Sequence, residues 1–153
     1  IRGMGLQIGD KAPAILGKNQ HGNEIKLADY AGKKIVLYFY PKDSTPGCTA
    51  QACSLRDSYP ELQKAGYEVI GVSADSEKSH LKFIEKQQLP FDLIADTDTS
   101  LSAIFGTWGE KSMYGRSYMG MFRTTFIINE AGIIERIITP KEVNTKTHAQ
   151  QII

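Results

Sequence analysis

Cysteine is scarce in this chain: 153 residues hold two, Cys48 and Cys53. That scarcity excludes a small secreted fold stapled by several disulfides. In a reducing compartment, a cysteine pair more often serves catalysis, redox sensing or metal binding than structure. Metal binding is disfavoured by the spacing. Cys48-x4-Cys53 lacks the short gap of zinc-ligand pairs, and His21, His80 and His148 are scattered. Long apolar runs are also missing, and none approaches the roughly 20 residues that span a bilayer. No membrane partner is expected. Neither sign of charge dominates: 18 basic and 17 acidic side chains give +1. This leaves no basic stripe for nucleic acid and no acidic tail. Repeats, low-complexity tracts and linkers are absent. The first residues lack the apolar stretch and small-residue cleavage site of an export signal, so the expected location is cytoplasmic.

The rest of the composition is that of one globular domain, 41% apolar and 23% charged. The length suits a single normal core. The domain is expected over residues 8–153, with residues 1–7 as an extension. Met4 is the expected native start, which makes residues 1–3 a non-native leader.

Residues 35–40 (IVLYFY) form a continuous apolar run, expected to be a strand buried on both faces. Pro41 ends it. Residues 46–65 carry Leu55, Tyr59 and Leu62 at helical spacing, with Pro60 predicting a kink or break and Gly66 a stop. Residues 67–73 (YEVIGVS) read as a second buried strand. Ser76 is expected to cap a helix running to about Gln88. A short strand at 91–95 and a short helix at 100–105 follow. Residues 124–129 and 133–139 flank Glu130-Ala131-Gly132 as a hairpin. A last helix is expected from about Asn144. Residues 14–16 and 24–27 flank Gly22 as a small N-terminal hairpin. This order predicts an α/β fold of thioredoxin-like type, with a central mixed sheet flanked by helices.

The chemistry concentrates where the first buried strand meets the first helix: Pro41-Lys42-Asp43-Ser44-Thr45-Pro46-Gly47-Cys48. Thr45 is an expected N-cap and Pro46 suits the first helical position. Cys48 then falls in the first turn, where unpaired amides and the helix dipole favour an anion. Such settings lower a cysteine pKa to roughly 3.5–7.5. An accessible thiolate of this kind is what peroxide oxidises first to sulfenic acid. The bland alternative is a small buried apolar residue. Five residues of intact helix separate the Cα atoms of Cys48 and Cys53 by about 8.6 Å. A disulfide needs them within about 6.8 Å. If the two cysteines pair, the first turns must unwind; otherwise Cys53 is packed core.

This stretch resembles the peroxiredoxins, and most of all their bacterioferritin comigratory protein (Q-type) branch. The family pattern Pro-x3-Thr-x2-Cys is matched by Pro41, Thr45 and Cys48, and the branch's second cysteine by Cys53. Ser54-Leu55-Arg56-Asp57, Phe105-Gly106-Thr107-Trp108-Gly109-Glu110-Lys111 and Arg123-Thr124-Thr125-Phe126 match it further on. The resemblance implies a peroxidase acting on hydrogen peroxide and organic hydroperoxides. Cys48 would be the peroxidatic nucleophile and Cys53 the resolving cysteine, joined in an intramolecular disulfide. Thr45 would hold the peroxide, Pro41 would shield the sulfur, and Arg123 would bring a permanent positive charge to it. The implied reductant is thioredoxin, with a glutaredoxin as the other candidate. No cofactor or metal is implied, and the expected state is a monomer, with a dimer as the alternative.

Read without the family, Thr45 could be only a cap, Pro41 only a strand terminator and Arg123 a solvated edge residue. Tyr40 reads as core and Trp108 as packing. A thiol-disulfide oxidoreductase or redox sensor would carry Cys-x2-Cys at a helix start, which this chain lacks. A binding domain with a structural Cys48–Cys53 bond would have to break its own helix.

Overall fold

In the computed structural model, which describes residues 5–153, the chain runs through nine strands and five α-helices among those residues. In chain order they are β1 (Ile15–Lys18), β2 (Glu24–Lys26), β3 (Lys34–Phe39), α1 (Pro46–Asp57), α2 (Tyr59–Lys64), β4 (Tyr67–Ser73) and α3 (Glu77–Gln87). There follow β5 (Asp92–Ala95), α4 (Ser100–Phe105), β6 (Trp108–Met113), β7 (Arg116–Met121), β8 (Thr124–Ile128), β9 (Ile134–Ile138) and α5 (His148–Ile152). The expectation about residues 1–3 lies outside the described residues.

Five strands form one sheet in the order β5-β4-β3-β8-β9. β3, β4 and β5 are parallel, and β8 and β9 are antiparallel to their neighbours, so the sheet is mixed as expected. The continuous apolarity of β3 has its reason in two cores. Val36, Tyr38 and Tyr40 face one cluster, which includes Leu55, Leu62, Phe83 and Ile152 from the helices. Ile35, Leu37 and Phe39 face the other, with Leu16, Ile25, Leu101 and Phe105. Helices and the N-terminal hairpin thus cover both faces.

Most sequence-expected elements lie within a residue or two of the observed ones. The break expected near Pro60 falls at Ser58, which separates α1 from α2, and Pro60 occupies the first turn of α2. Proline fits there because a first-turn N–H has no intrahelical partner. Ser76 Oγ does cap α3, accepting from the Ser79 amide at 3.1 Å. The last helix begins with a 3-10 turn at Thr145–Thr147, so its α-helical part starts at His148. One element has no counterpart in the sequence reading. β6 and β7 form a separate two-stranded hairpin with Met113 paired to Arg116. Its turn residues Tyr114 and Gly115 both have positive φ (53° and 77°). That is the geometry that two-residue hairpin turns favour.

Candidate active site

The register of the sheet builds the site. Thr124 of β8 pairs with Phe39 at the end of β3, so the preceding Arg123 lies beside the point where the chain leaves the sheet for α1. Cys48 is the third residue of α1. Arg123 spans the two: one guanidinium nitrogen donates to Cys48 Sγ at 3.3 Å, and the other to Gln51 Oε1 at 2.7 Å. A Cβ on Gly47 would stand 3.3 Å from the same guanidinium, so the glycine leaves room for it. A fixed cation on the sulfur stabilises negative charge there, and charge-assisted bonds of this kind are the strong ones.

Cys48 is only 1% exposed and packs in the helix-side core. This corrects the expectation of an accessible sulfur. A side chain on the inner face of an amphipathic first turn is enclosed by the sheet beneath it. Both cysteines are free thiols. Cys53 is partly buried and donates to Gln87 Oε1 at 3.5 Å. Arg56 stands beside it, tied to the Gln87 carbonyl at 2.8 Å. α1 is unbroken from Pro46 to Asp57, so the two cysteines sit on one continuous helix.

Thr45 is the N-cap residue, but its side chain does not bond the helix amides. Its hydroxyl donates to the Lys42 carbonyl at 2.9 Å, while its own carbonyl accepts the Thr49 amide at 2.8 Å. The expected cap therefore holds for position and not for the side-chain bond. Pro41 is exposed, on the loop after the buried Tyr40. Tyr40 is core, as expected, and Trp108 is half-buried against the second cluster. The structure brings Cys48 and Arg123 into contact, places Thr45 three residues before the sulfur, and holds Cys53 apart.

Several groups around the sulfur have no counterpart in the sequence reading. Gln51 is fully buried, and its amide nitrogen has no partner. The same holds for the hydroxyl of Tyr38, whose pKa is raised by burial first and then by the nearby Cys48. Helical spacing from Cys48 would have placed Gln51 on the same face. Lys111 lies across Gly120 and stands 5.4 Å from the Phe122 ring centroid. Its pKa is lowered by burial and by Arg123, and Cys48 opposes that shift. Asp43, Asp75 and His80 bring their ligand-type atoms within 4.8 Å of one another. Their facing oxygens already accept protein hydrogen bonds, from Ser79 Oγ to Asp43 and from Ser73 Oγ to Asp75. The group therefore acts as a polar network rather than an open cation site.

The chain is similar to known proteins over nearly its whole length. The AhpC/TSA family matches residues 8–137. Peroxiredoxin Bcp of Bacillus subtilis is 45% identical over 98% of this chain and 94% of its own length. Peroxiredoxin Bcp of Escherichia coli is 41% identical over 97% of this chain and 94% of its own. Among solved structures, PrxQ of Xylella fastidiosa superposes with TM-score 0.86 at 33% identity, covering 96% of this chain and 92% of its own. The bacterioferritin comigratory protein of Xanthomonas campestris, described by its alkyl peroxide reduction activity, gives TM-score 0.84 at 35% identity, covering 95% and 94%.

Proposed function

Because the chain belongs to the AhpC/TSA family of peroxiredoxins, in its Bcp/PrxQ branch, we propose a residue-by-residue cycle for its peroxidase activity. The chain is a thiol-dependent peroxidase with a thioredoxin-like fold, and its two cysteines fit an atypical 2-Cys mechanism. Its substrate is a hydroperoxide and its reductant a thiol.

In the proposed cycle the Cys48 thiolate attacks the nearer oxygen of the peroxide. The O–O bond breaks, and the departing oxygen takes a proton and leaves as water or an alcohol. Cys48 becomes a sulfenic acid. The contact that carries this assignment is Arg123 on Cys48 Sγ at 3.3 Å. It sets a permanent cation where charge develops during the displacement. Thr45 holds the peroxide through its hydroxyl, and Pro41 shapes the mouth of the pocket. The first turns of α1 then unwind. Cys53 attacks the Cys48 sulfur, water leaves, and an intramolecular disulfide forms. A dithiol protein of thioredoxin type, or alternatively a glutaredoxin, reduces it by exchange and leaves with the disulfide. That need for a dithiol suits a reducing compartment, and we assign the cytoplasm. An internal resolving cysteine also removes the need for a partner subunit, so we assign a monomeric single domain over residues 8–153.

The test adds stoichiometric hydrogen peroxide to reduced protein and follows free thiols with Trp108 fluorescence. Two thiols should disappear together in the wild type and none in Cys48→Ser. An intact peroxide reaction in Cys48→Ser would remove the assignment.

A further inference from the structure

Asp43 lies five residues before Cys48, on the loop from β3 to α1, and is 6% exposed. Its carboxyl group is held by side chains from two elements, and its backbone by a third. Tyr40 Oη at the end of β3 donates to Oδ1 at 2.6 Å. Ser79 Oγ and His80 Nδ1 of α3 stand 2.8 Å and 2.7 Å from Oδ2. Its backbone amide donates to Asp75 Oδ2 at 2.8 Å, just beyond β4. His80 is fully buried, and its other ring nitrogen stands 2.9 Å from the Ile94 carbonyl of β5. A carbonyl only accepts, so that nitrogen carries a proton. Nδ1 shares a hydrogen bond with the Asp43 carboxyl at 2.7 Å. Asp43–His80 is thus a buried hydrogen-bonded pair, with both ring nitrogens of His80 engaged. Ser44, the next residue, adopts a left-handed φ of 63°. A non-glycine residue holds that conformation only where its surroundings fix it.

We infer that the buried Asp43–His80 pair is a positioning device for the peroxide reaction: it fixes the 41–45 loop, and through it Thr45 and Cys48, against Arg123. This rests on the proposed role of Cys48 and adds to it. No group of the pair needs to touch the substrate. The loop is clamped to β3, β4, β5 and α3 on one side of Ser44, and α1 begins on the other. Removing one partner leaves the other's buried polar group without its hydrogen bond and frees the loop, which is worse than removing both.

The experiment measures two rate constants, Cys48 oxidation by hydrogen peroxide and Cys53 resolution, in Asp43→Asn, His80→Gln and the double variant. Both are referred to the folded fraction. Each single variant should slow oxidation about tenfold or more, the order expected from a sub-ångström misplacement. Resolution should hold or quicken. The double variant should recover part of the loss, a coupling that only interacting residues show. In the reduced wild type, nitrogen-edited NMR should show an exchange-protected proton on His80 Nε2, facing the Ile94 carbonyl. Wild-type oxidation rates in the single variants, equal losses in both rate constants, or a rapidly exchanging Nε2 proton on His80 would each overturn the inference. Should the single variants not fold, Ser79→Ala removes one donor to Asp43 and keeps the pair. It should slow oxidation several-fold, and an unchanged rate would count against the device. Cys48→Ser in the same assay tests the nucleophile separately, since its outcome does not depend on Asp43.

Discussion

Replacing Ala50 with glycine tests whether the helix around Cys48 must open before the disulfide forms. Ala50 lies between the two cysteines on α1, half-buried and outside both core clusters. In an intact helix the cysteine Cα atoms are about 8.6 Å apart, and a disulfide requires about 6.8 Å or less. Glycine is about 0.8–1.0 kcal/mol less favourable than alanine within a helix. Loss of a half-buried methyl adds up to about 0.4 kcal/mol. Together these favour the unwound state by about 1.3 kcal/mol, close to a tenfold change in its population. Ala50→Gly should therefore resolve the sulfenic acid about five- to tenfold faster, while oxidation in the still-folded majority changes little. Stopped-flow fluorescence of Trp108 after a stoichiometric peroxide pulse separates the two phases. Lys82→Gly on the exposed face of α3 is the control. It should lower Tm by a similar amount, about 2–4 °C, without touching resolution. If Ala50→Gly lowered Tm but left resolution at the wild-type rate, opening of α1 would not gate the disulfide.

Arg123→Lys keeps the charge but cannot hold Gln51 and the sulfur together. Loss of one hydrogen bond to a charged group, about 1.5–3 kcal/mol, should lower kcat/KM for hydrogen peroxide by about 10- to 100-fold, read in a steady-state assay. Cys53→Ser should oxidise at Cys48 at the wild-type rate and stop there, trapped by a sulfenic-acid reagent; sustained turnover with thioredoxin alone would remove the resolving role. His148 links α5 to β8, bonding Thr125 Oγ1 and Gln151 Oε1 at 2.8 Å each, and burial lowers its pKa below 6.5. The unfolded chain then binds the extra proton first, so stability is full above pH 6.5 and falls as the pH drops towards the lowered folded value. The Tm should decline over that window, and His148→Gln should flatten the slope.

Local rules carried the frame of the fold and one half of the site. β3 was legible because each of its positions is apolar, and two-sided burial is the usual reason for that pattern. The first turn of α1 was legible because Thr45 and Pro46 are residues that helix starts favour. The β6–β7 hairpin was not legible, since much of it faces solvent and Tyr114 is 98% exposed. A strand without a buried face leaves no alternation of apolar residues to read. Arg123 meets Cys48 from 75 residues away, and His80 meets Asp43 from 37. No local periodicity encodes such encounters. Arg123 was reached only through the family resemblance, and Asp43–His80 not at all.

The burial of Cys48 joins two readings that seemed to compete. As sequence, a small core residue and a reactive thiolate were alternatives. The structure makes the two compatible, because the packing that hides the sulfur also seats it against Arg123. A buried charge without a partner is expensive, so in the proposed cycle the closed helix and the guanidinium support each other while Cys48 acts as the thiolate. A sulfenic acid is neutral and one oxygen larger. It weakens the pairing and overfills a tightly packed site, and overpacking typically costs about 1–3 kcal/mol. In the proposed cycle, oxidation therefore removes the reason for α1 to stay closed at the moment when Cys53 needs it open.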